Sequence, residues 1–526
     1  MILGNNGKRR RGLLTAVAAA GVLAVAACSG GGTGPTTNGG ATPAGALVQD
    51  STVSVGEQSE PPSWNIYAQS GAGTGNSQFG NIFDSLINWN YQTKEYQPYL
   101  ATSWENSADL RTWTFHLREG VKFSDGTAFT ADDVLFSFDR IGKHPDSQMA
   151  SHFAHVTKME APDPKTVVLS LDTPIASFLS DIEGRMIVSK HNYDTKSEDD
   201  ANHAMIGTGA YTMGSWVQGQ QMTLVRNENY WGKKPSVKTL ILKAIPDNAA
   251  RLAALKAGEI QIMRELPSQD VPTVKNTPGI KEVTNPGVRI LMLPFNPTIE
   301  PYGDVRVREA VSKAIDVHTI VDGVFDGTLT EMKGPMPDFI PGSDPAGTGH
   351  VYDPAAAKAL VQEIGGGQPV KIKYTSATGN YPGDTQVNQV IVEQLKAVGF
   401  DVTFDSPDFA VLSGNMNQGK VGFYLISKGG YQDAGAVYTQ YWLAGQSKRT
   451  KWDDPALNDI LTRQAAEPDK AKREELLREA GKKLEDQYAA IWLGTYENLW
   501  ATADSIKWQP SADEWINGLD IEVYQN

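Results

Sequence analysis

Acidic doublets, a histidine pair and a single cysteine are the groups in this chain whose types and spacing suggest chemistry. Asp132-Asp133, Asp453-Asp454 and Glu474-Glu475 supply carboxylates two at a time. Glycoside hydrolysis needs two carboxylates facing each other across a cleft. Neighbouring positions on a helix diverge, so none of these doublets meets that demand. His152 and His155 stand three apart and can share a helix face, a spacing compatible with a metal, yet no third ligand lies near them in sequence. Gly207-Thr208-Gly209-Ala210-Tyr211 is glycine-rich but lacks the lysine and serine of a phosphate loop. Neither a Gly-x-Ser-x-Gly elbow nor a His-Glu-x-x-His pair occurs. Cys28 is the only cysteine, which excludes an intrachain disulfide and argues against a cysteine zinc site. These residues predict a binding protein rather than an enzyme, with no cofactor and no metal.

Bulk properties narrow the class further. With 526 residues, two or more lobes with sizeable cores are expected. The formal net charge of −14 comes without a clustered basic stripe, so nucleic acid is not an expected partner.

The elements that must position any site can be read from patterning. Trp113 to Leu117 alternates large apolar and polar residues, the period of a half-buried strand. Ser124-Asp125-Gly126 is turn chemistry. Thr130 stands at a helix cap, ahead of an acidic first turn and an apolar face of Val134, Leu135 and Phe138. Thr52–Val55 reads as a strand followed by the rigid loop Glu60 to Asn65. Residues 249–258 suit a helix stopped by Gly258, and Asp304 opens another through Ile315. Farther on, Lys371–Tyr374 is strand-like, Gln386–Val398 helical and Val402–Phe404 a strand, an alternation that predicts a sheet covered by helices. A long charged helix over Lys470–Tyr488 precedes a strand-like, aromatic tail from Trp500 onward, expected to close back onto the first lobe.

Three blocks of this sequence resemble the family 5 extracellular solute-binding proteins, the receptors of peptide and nickel ABC importers. The first runs from Leu100 to Ile141 (LATSWENSADLRTWTFHLREGVKFSDGTAFTADDVLFSFDRI). The second spans Gly207 to Met263 and carries GTGAY, RNENYWGKKP and RLAALKAGEI, with Gln261 where the family has an acidic residue. The third is LPFNPTIEPYGDVRVREAVSKAID, from Leu293 to Asp316. The resemblance implies an α/β, two-lobed periplasmic-binding-protein-like (Venus flytrap) fold of the large cluster C type, with a discontinuous first lobe. The expected division is 48–284 and 496–526 for the first lobe, with a subdomain over roughly 86–195, and 285–495 for the second. It also implies closure of the lobes over a solute, delivery to a membrane permease driven by ATPase subunits, and a monomer.

The N-terminus reads as an address. Lys8-Arg9-Arg10-Arg11 precedes an apolar run too short to span a bilayer comfortably, and Val25-Ala26-Ala27-Cys28 resembles the bacterial lipobox. Residues 1–27 are therefore expected to be a lipoprotein signal peptide, Cys28 the lipidated residue, and 28–47 a flexible tether to the outer face of the membrane or the periplasm.

For the ligand, the resemblance points to Gly429-Gly430-Tyr431-Gln432-Asp433-Ala434-Gly435. In peptide-binding relatives an aspartate of a GW--DY-DP-like segment pairs with the peptide's α-ammonium. Asp433 occupies the corresponding place, although tryptophan is replaced and the Asp-Pro step is absent. An aspartate that stabilises the turn before Ala-Gly is the competing reading. Gly429, Gly430 and Tyr431 border it. Trp64 and Asn65 in the opening loop are candidates to line the cleft, and Arg289 to meet a ligand carboxylate. The expected ligand is a di- or oligopeptide. An oligosaccharide or opine of the same receptor family is the alternative, and hydrolysis is remote. Removing Asp433 is expected to abolish binding of free-amino peptides while leaving the fold intact.

Overall fold

The computed structural model describes residues 45–68, 78–347, 349–429 and 432–525. Cys28, most of the expected tether, Gly430 and Tyr431 lie outside these residues. Among the described residues, no helix is long and apolar enough to cross a membrane.

The central element is a nine-stranded mixed sheet. Its order is Ile426–Lys428, Ile280–Pro294, Ala490–Ala503, Ile262–Met263, Ser51–Glu57, Val237–Ala244, Gln221–Arg226 and Tyr211–Val217, with Leu329–Glu331 attached to Ala490–Ala503. Ser51–Glu57 runs parallel to both its neighbours, and the remaining pairs are antiparallel. Ile280–Pro294 and Ala490–Ala503 are far longer than an ordinary strand of five or six residues. They pair along most of their length, with irregularities between Pro286 and Ile290 and between Leu291 and Met292. Their two ends serve different cores, which makes them the bridge between two halves of the molecule.

The first core gathers Val53, Phe115, Phe138, Leu169 and Leu240 with Trp500, Trp508, Ile516 and Ile521, so residues from both ends of the chain fill one lobe. Its outer part is a four-stranded antiparallel sheet, ordered Ala101–Asn106, Thr112–Leu117, Thr166–Leu171, Val156–Asp163, with helix Ala131–Lys143 packed on it. That helix begins as its sequence demands. The Asp133 carboxylate takes the N–H of Thr130 at 2.9 Å and the N–H of Lys190 at 2.8 Å, closing the first turn onto a neighbouring helix. The C-terminal tail is fixed by Asn81, which donates to Ile516 O and accepts from Gly518 N, each at 2.8 Å.

Two further cores fill the second lobe. One holds the parallel pair Val370–Thr375 and Phe400–Asp405 with helix Asp384–Ala397 between them in sequence. The other is aromatic, built from Tyr424, Tyr438, Tyr441, Trp442 and Trp492. The bridging strands feed both, since Leu291 and Leu293 point into the first and Ile290 and Met292 into the second.

Most residues that carry the block patterns have structural duties here. A Cβ on Gly207 would lie 2.1 Å from Ile82 O and one on Gly209 2.6 Å from Asn81 O, so the Gly-Thr-Gly segment is a close backbone crossing. Trp231 Nε1 donates to Asp84 Oδ2 at 2.8 Å under the Arg118 guanidinium. Arg308 is buried and donates to the carbonyls of Tyr302, Gly303 and Gln487. His152 and His155 each pair with their own aspartate, Asp181 at 2.8 Å and Asp172 at 2.9 Å. No group of three or more potential metal ligands exists among the described residues.

Candidate functional site

The seam between the lobes begins at the bridging strands. Strand Ile426–Lys428 pairs with the second-lobe end of Ile280–Pro294, placing Lys428 opposite Ile290. Gly429 follows directly. A Cβ there would come within 3.3 Å of both Cα and Cβ of Arg289, so the lack of a side chain lets the chain pass over Arg289 toward the other lobe.

Three residues later Gln432 reaches across. Its amide donates to Glu183 Oε2 at 3.2 Å and approaches the Tyr91 hydroxyl at 3.5 Å. Lys94 Nζ donates to Asp338 O at 2.6 Å, and Ala176 N to Ala465 O at 2.8 Å, further links of the same kind. The lobes therefore touch along this seam.

The first-lobe wall is aromatic and acidic. Hairpin Ile87–Asn90 and Glu95–Pro98 presents Trp89 and Tyr96 edge to face, 4.8 Å between centroids, with Tyr91 at its turn. Glu183 accepts the Trp89 N–H at 3.3 Å. Burial pushes its carboxyl up to about 7; the nearby Asp513 charge adds to this and Arg185 opposes it. Burial also raises Asp513, whose Oδ1 accepts from Trp515 N at 3.1 Å. Next to Gly184, a cavity of about 50 Å³ lined by Ser85, Asn88, Tyr99 and Trp515 has room for water and none for a peptide.

The second-lobe wall is basic. Half-buried Arg289 and Arg449 both act on the half-buried Tyr381, and Arg449 also acts on the half-buried Lys428. Arg449 donates to Asn417 Oδ1 at 2.8 Å and to the Tyr441 hydroxyl at 3.3 Å. Burial and then the Arg449 charge lower the Lys428 ammonium below its usual range. Tyr381 is held in place because Asp384 accepts the backbone N–H groups of Gly379, Asn380 and Tyr381 at 2.7–2.8 Å.

Asp433 lies between these walls but is already engaged. It is 6% exposed, and its two oxygens accept from Arg473 NH1 and NH2, each at 2.7 Å. It also caps helix Ala434–Trp442 by accepting from Ala436 N at 3.3 Å. That cap agrees with the reading of a turn-stabilising aspartate. The expectation that Asp433 could be removed without harm to the fold conflicts with this geometry, because Arg473 would be left as a buried, unpaired cation.

The remaining sequence-predicted residues divide. Arg289 and Gly429 are in contact at the seam. Trp64 packs elsewhere, 4.3 Å from Trp216 and 4.7 Å from His203, while Trp216 Nε1 donates to Glu60 Oε2 at 2.9 Å. Asn65 Oδ1 accepts from Tyr67 N at 3.0 Å in the same loop. Glu183, Asp513, Tyr91, Lys428 and Arg449, which the sequence reading passed over, are scattered along the chain with no local motif. Only the pairing of the hinge strands and the return of the tail bring them together.

Comparison with known proteins places this arrangement. The family model described as bacterial extracellular solute-binding proteins, family 5 Middle, matches residues 95–451. Over 411 residues the chain is 28% identical to the "Probable D,D-dipeptide-binding periplasmic protein DdpA" of Escherichia coli (strain K12), covering 75% of this chain and 78% of that protein. HbpA2 from Haemophilus parasuis superposes with a TM-score of 0.81 at 21% identity, over 90% of this chain and 100% of that one. The PBP AgaA from A.tumefacien R10, in complex with agropinic acid, gives a TM-score of 0.73 at 25% identity, over 90% and 99% of the two chains. The fold is that of the two-lobed periplasmic binding proteins of cluster C. With the family model matching well over half its length, the chain belongs to family 5 of the bacterial extracellular solute-binding proteins.

Proposed function

We propose that this protein is the receptor of an ABC importer for a short peptide, which it encloses between its lobes and delivers to a membrane permease and its ATPase subunits. Residues 48–284 with 496–526 form one lobe in this reading, and residues 285–495 the other. Binding energy comes from the difference in affinity between closed and open states, and no bond is made or broken.

The observation that carries the reading is the opposition of charge across one seam. Glu183 and Asp513 stand on the first-lobe wall, Arg289, Lys428 and Arg449 on the second. An ammonium suits the former and a carboxylate the latter. Gly429, beside Arg289, and Gln432, beside Glu183, are three positions apart. Three residues span at most about 11 Å, the reach of a di- or tripeptide. The 429–433 segment, with Gly430 and Tyr431 at its centre, would offer main-chain pairing to an extended ligand. Asp433 would act through the helix it caps and through Arg473, with Trp64 and Asn65 shaping the loop that borders the first lobe. The dipeptide in the name of DdpA is in line with this class of ligand.

Lipid attachment at Cys28 after removal of residues 1–27 would hold the receptor at the outer face of the membrane or in the periplasm. Radiolabelled palmitate should enter the wild-type protein and not Cys28→Ala.

Native mass spectrometry of the purified protein, followed by calorimetry with Ala-Ala, N-acetyl-Ala-Ala and Ala-Ala-amide, tests the ligand class. Peptide masses should accompany the protein, and blocking either terminus should weaken binding at least tenfold. A sugar mass, or equal affinity for all three compounds, would overturn the peptide reading. An opine-type receptor is the second reading, favoured by the likeness to AgaA and its acid ligand.

A further inference from the structure

Residues 511–515 of the returning tail touch three parts of the molecule at once. At the hinge, Ala512 O accepts from Val288 N at 3.3 Å and from Asn498 Nδ2 at 3.1 Å. These donors lie on the two bridging strands, close to where their pairing breaks. Pro286 faces Glu497 and Ile290 faces Thr495, so three residues stand against one. The crossing is crowded, since a Cβ on Gly287 would lie 2.6 Å from both Asn498 Oδ1 and Tyr496 O. Inside the first lobe, the buried Arg264 donates to Glu514 Oε2 at 3.1 Å and to Glu57 Oε2 at 3.3 Å. At the seam, the Trp515 ring stands 3.5 Å from where a Cβ on Gly184 would sit, next to Glu183, and Asp513 accepts the Trp515 N–H.

The backbone between these contacts is strained. Glu514 has a φ of +66°, a left-handed conformation that residues with a Cβ rarely adopt. Such outliers persist only where their surroundings hold them. Here the grip of Arg264 and the bond from Glu514 N to Ser511 O at 3.0 Å do so. Bending in two-lobed receptors is absorbed by a few backbone positions between the lobes. The irregular stretch 286–290 is such a place, and Ala512 ties it to the chain that carries Asp513 and Trp515. Hinge angle and wall placement are therefore linked through one residue.

Resting on the reading of the seam as the ligand site, we propose that residues 511–515 form a strap that couples hinge bending to the first-lobe wall, with Glu514 as its positioning residue. Gripped by Arg264, Glu514 holds the turn that sets Asp513 and Trp515 on the wall, while Ala512 stays bonded to the hinge. A ligand ammonium seated at the wall then acts on the hinge through Ala512, and opening of the hinge displaces the wall. Such coupling is reciprocal.

Hydrogen exchange and calorimetry on the purified protein test the strap. Glu514→Gly frees the turn from its strain and from Arg264, which keeps Glu57 as a partner. Exchange at the Val288 amide should then quicken about tenfold and Ala-Ala should bind about tenfold more weakly, the range of one lost bond to a charged group. Glu514→Gln keeps an acceptor for Arg264 and should restore most of both. Asn498→Ala disturbs the other end, removing one bond to Ala512 and leaving Glu514 alone. It should quicken exchange at the Trp515 amide and weaken Ala-Ala, and it decides the matter should Glu514→Gly fail to fold. Wild-type exchange at Val288 in Glu514→Gly, or at Trp515 in Asn498→Ala, would overturn the coupling. Unchanged Ala-Ala affinity in both variants would reduce Glu514 to a structural role, and neither result touches the peptide reading. Should Ala-Ala not bind even the wild type, the peptide reading falls and the exchange rates alone decide the strap.

Discussion

Two acids meet at the lobe seam, one residue on either side of the Gln432 link, and their surroundings differ sharply. Asp433 is nearly inaccessible, takes both N–H groups of the Arg473 fork and caps a helix. Glu183 accepts from an amide and one backbone N–H, lies near both Asp513 and the opposing charge of Arg185, and is pushed by burial to about 7. The first is an acid whose charge is balanced within the fold. The second is an acid that burial keeps partly protonated near neutral pH, with Arg185 offsetting its charge only in part. Compensation, rather than position in a motif, separates architecture from recognition here.

The strongest way to break this comparison is to remove Asp433. Arg473 would remain buried without its partner, and helix Ala434–Trp442 would lose its cap. Breaking one side of such a pair costs about 3–5 kcal/mol, and a lost cap about 1 more. Asp433→Ala should therefore show a large drop in the urea midpoint, and replacing Arg473 with Met in the same chain should restore part of it. A loss below about 1 kcal/mol would mean that the pair carries little, and the acid would again be a candidate for the ligand.

Glu183 should behave in the opposite sense. Its folded-state pKa of about 7 lies above the unfolded value of 4.5, so the folded protein keeps a proton there that the unfolded chain has released. Stability must then fall as pH rises from about 4.5 to about 7 and level off beyond, while below 4.5 the penalty is absent. Glu57, raised to about 7, and Asp84, raised to about 6, bend the wild-type curve the same way, so the informative quantity is a difference. Glu183→Gln should gain on the wild type by about 3 kcal/mol between pH 4 and pH 7.5, read from chemical denaturation across that range. Parallel curves for the two proteins would show that Glu183 is not enclosed as described.

The two acids also mark what the sequence could disclose. Strands, caps and turns are local, and they were legible: the Thr130 cap, the helix stopped at Gly258 and the strand-helix-strand over 370–405 all stand where patterning puts them. The return of the aromatic tail onto the first lobe was legible too, because Trp500 and Trp508 had to be buried somewhere. The block residues then turned out to hold crossings and carbonyls together. The seam itself was not legible. Glu183 and Gln432 are 249 residues apart, and nothing about Glu183-Gly184-Arg185 sets it apart from a surface turn until tertiary contacts enclose it. Arg289, a candidate from sequence, lies beside Gly429, whereas Lys428 and Arg449 carry no local signal and come near each other only through tertiary packing. For Asp433 the sequence held both readings open, since an aspartate before a small residue caps a helix and binds an ammonium with the same oxygens.

The gentlest test addresses the link between the two acids. Gln432 is the only described side chain shown to donate across the seam to Glu183, and a single hydrogen bond to a charged acceptor contributes about 1–2 kcal/mol. Gln432→Ala leaves the Asp433–Arg473 pair untouched, so global stability should change little. The closed arrangement, however, loses one of its direct ties, others among the described residues being Lys94 to Asp338 O and Ala176 to Ala465 O. Without ligand, the variant should populate open forms about five- to thirtyfold more than the wild type, visible as a larger radius of gyration in small-angle scattering. Because Gln432 donates to Glu183 whether or not that acid is protonated, while an ionised acceptor strengthens the bond, the difference should be greater at pH 8 than at pH 5. An identical radius at both pH values would locate closure in the hinge strands alone and leave Glu183 with the ligand as its only awaited partner.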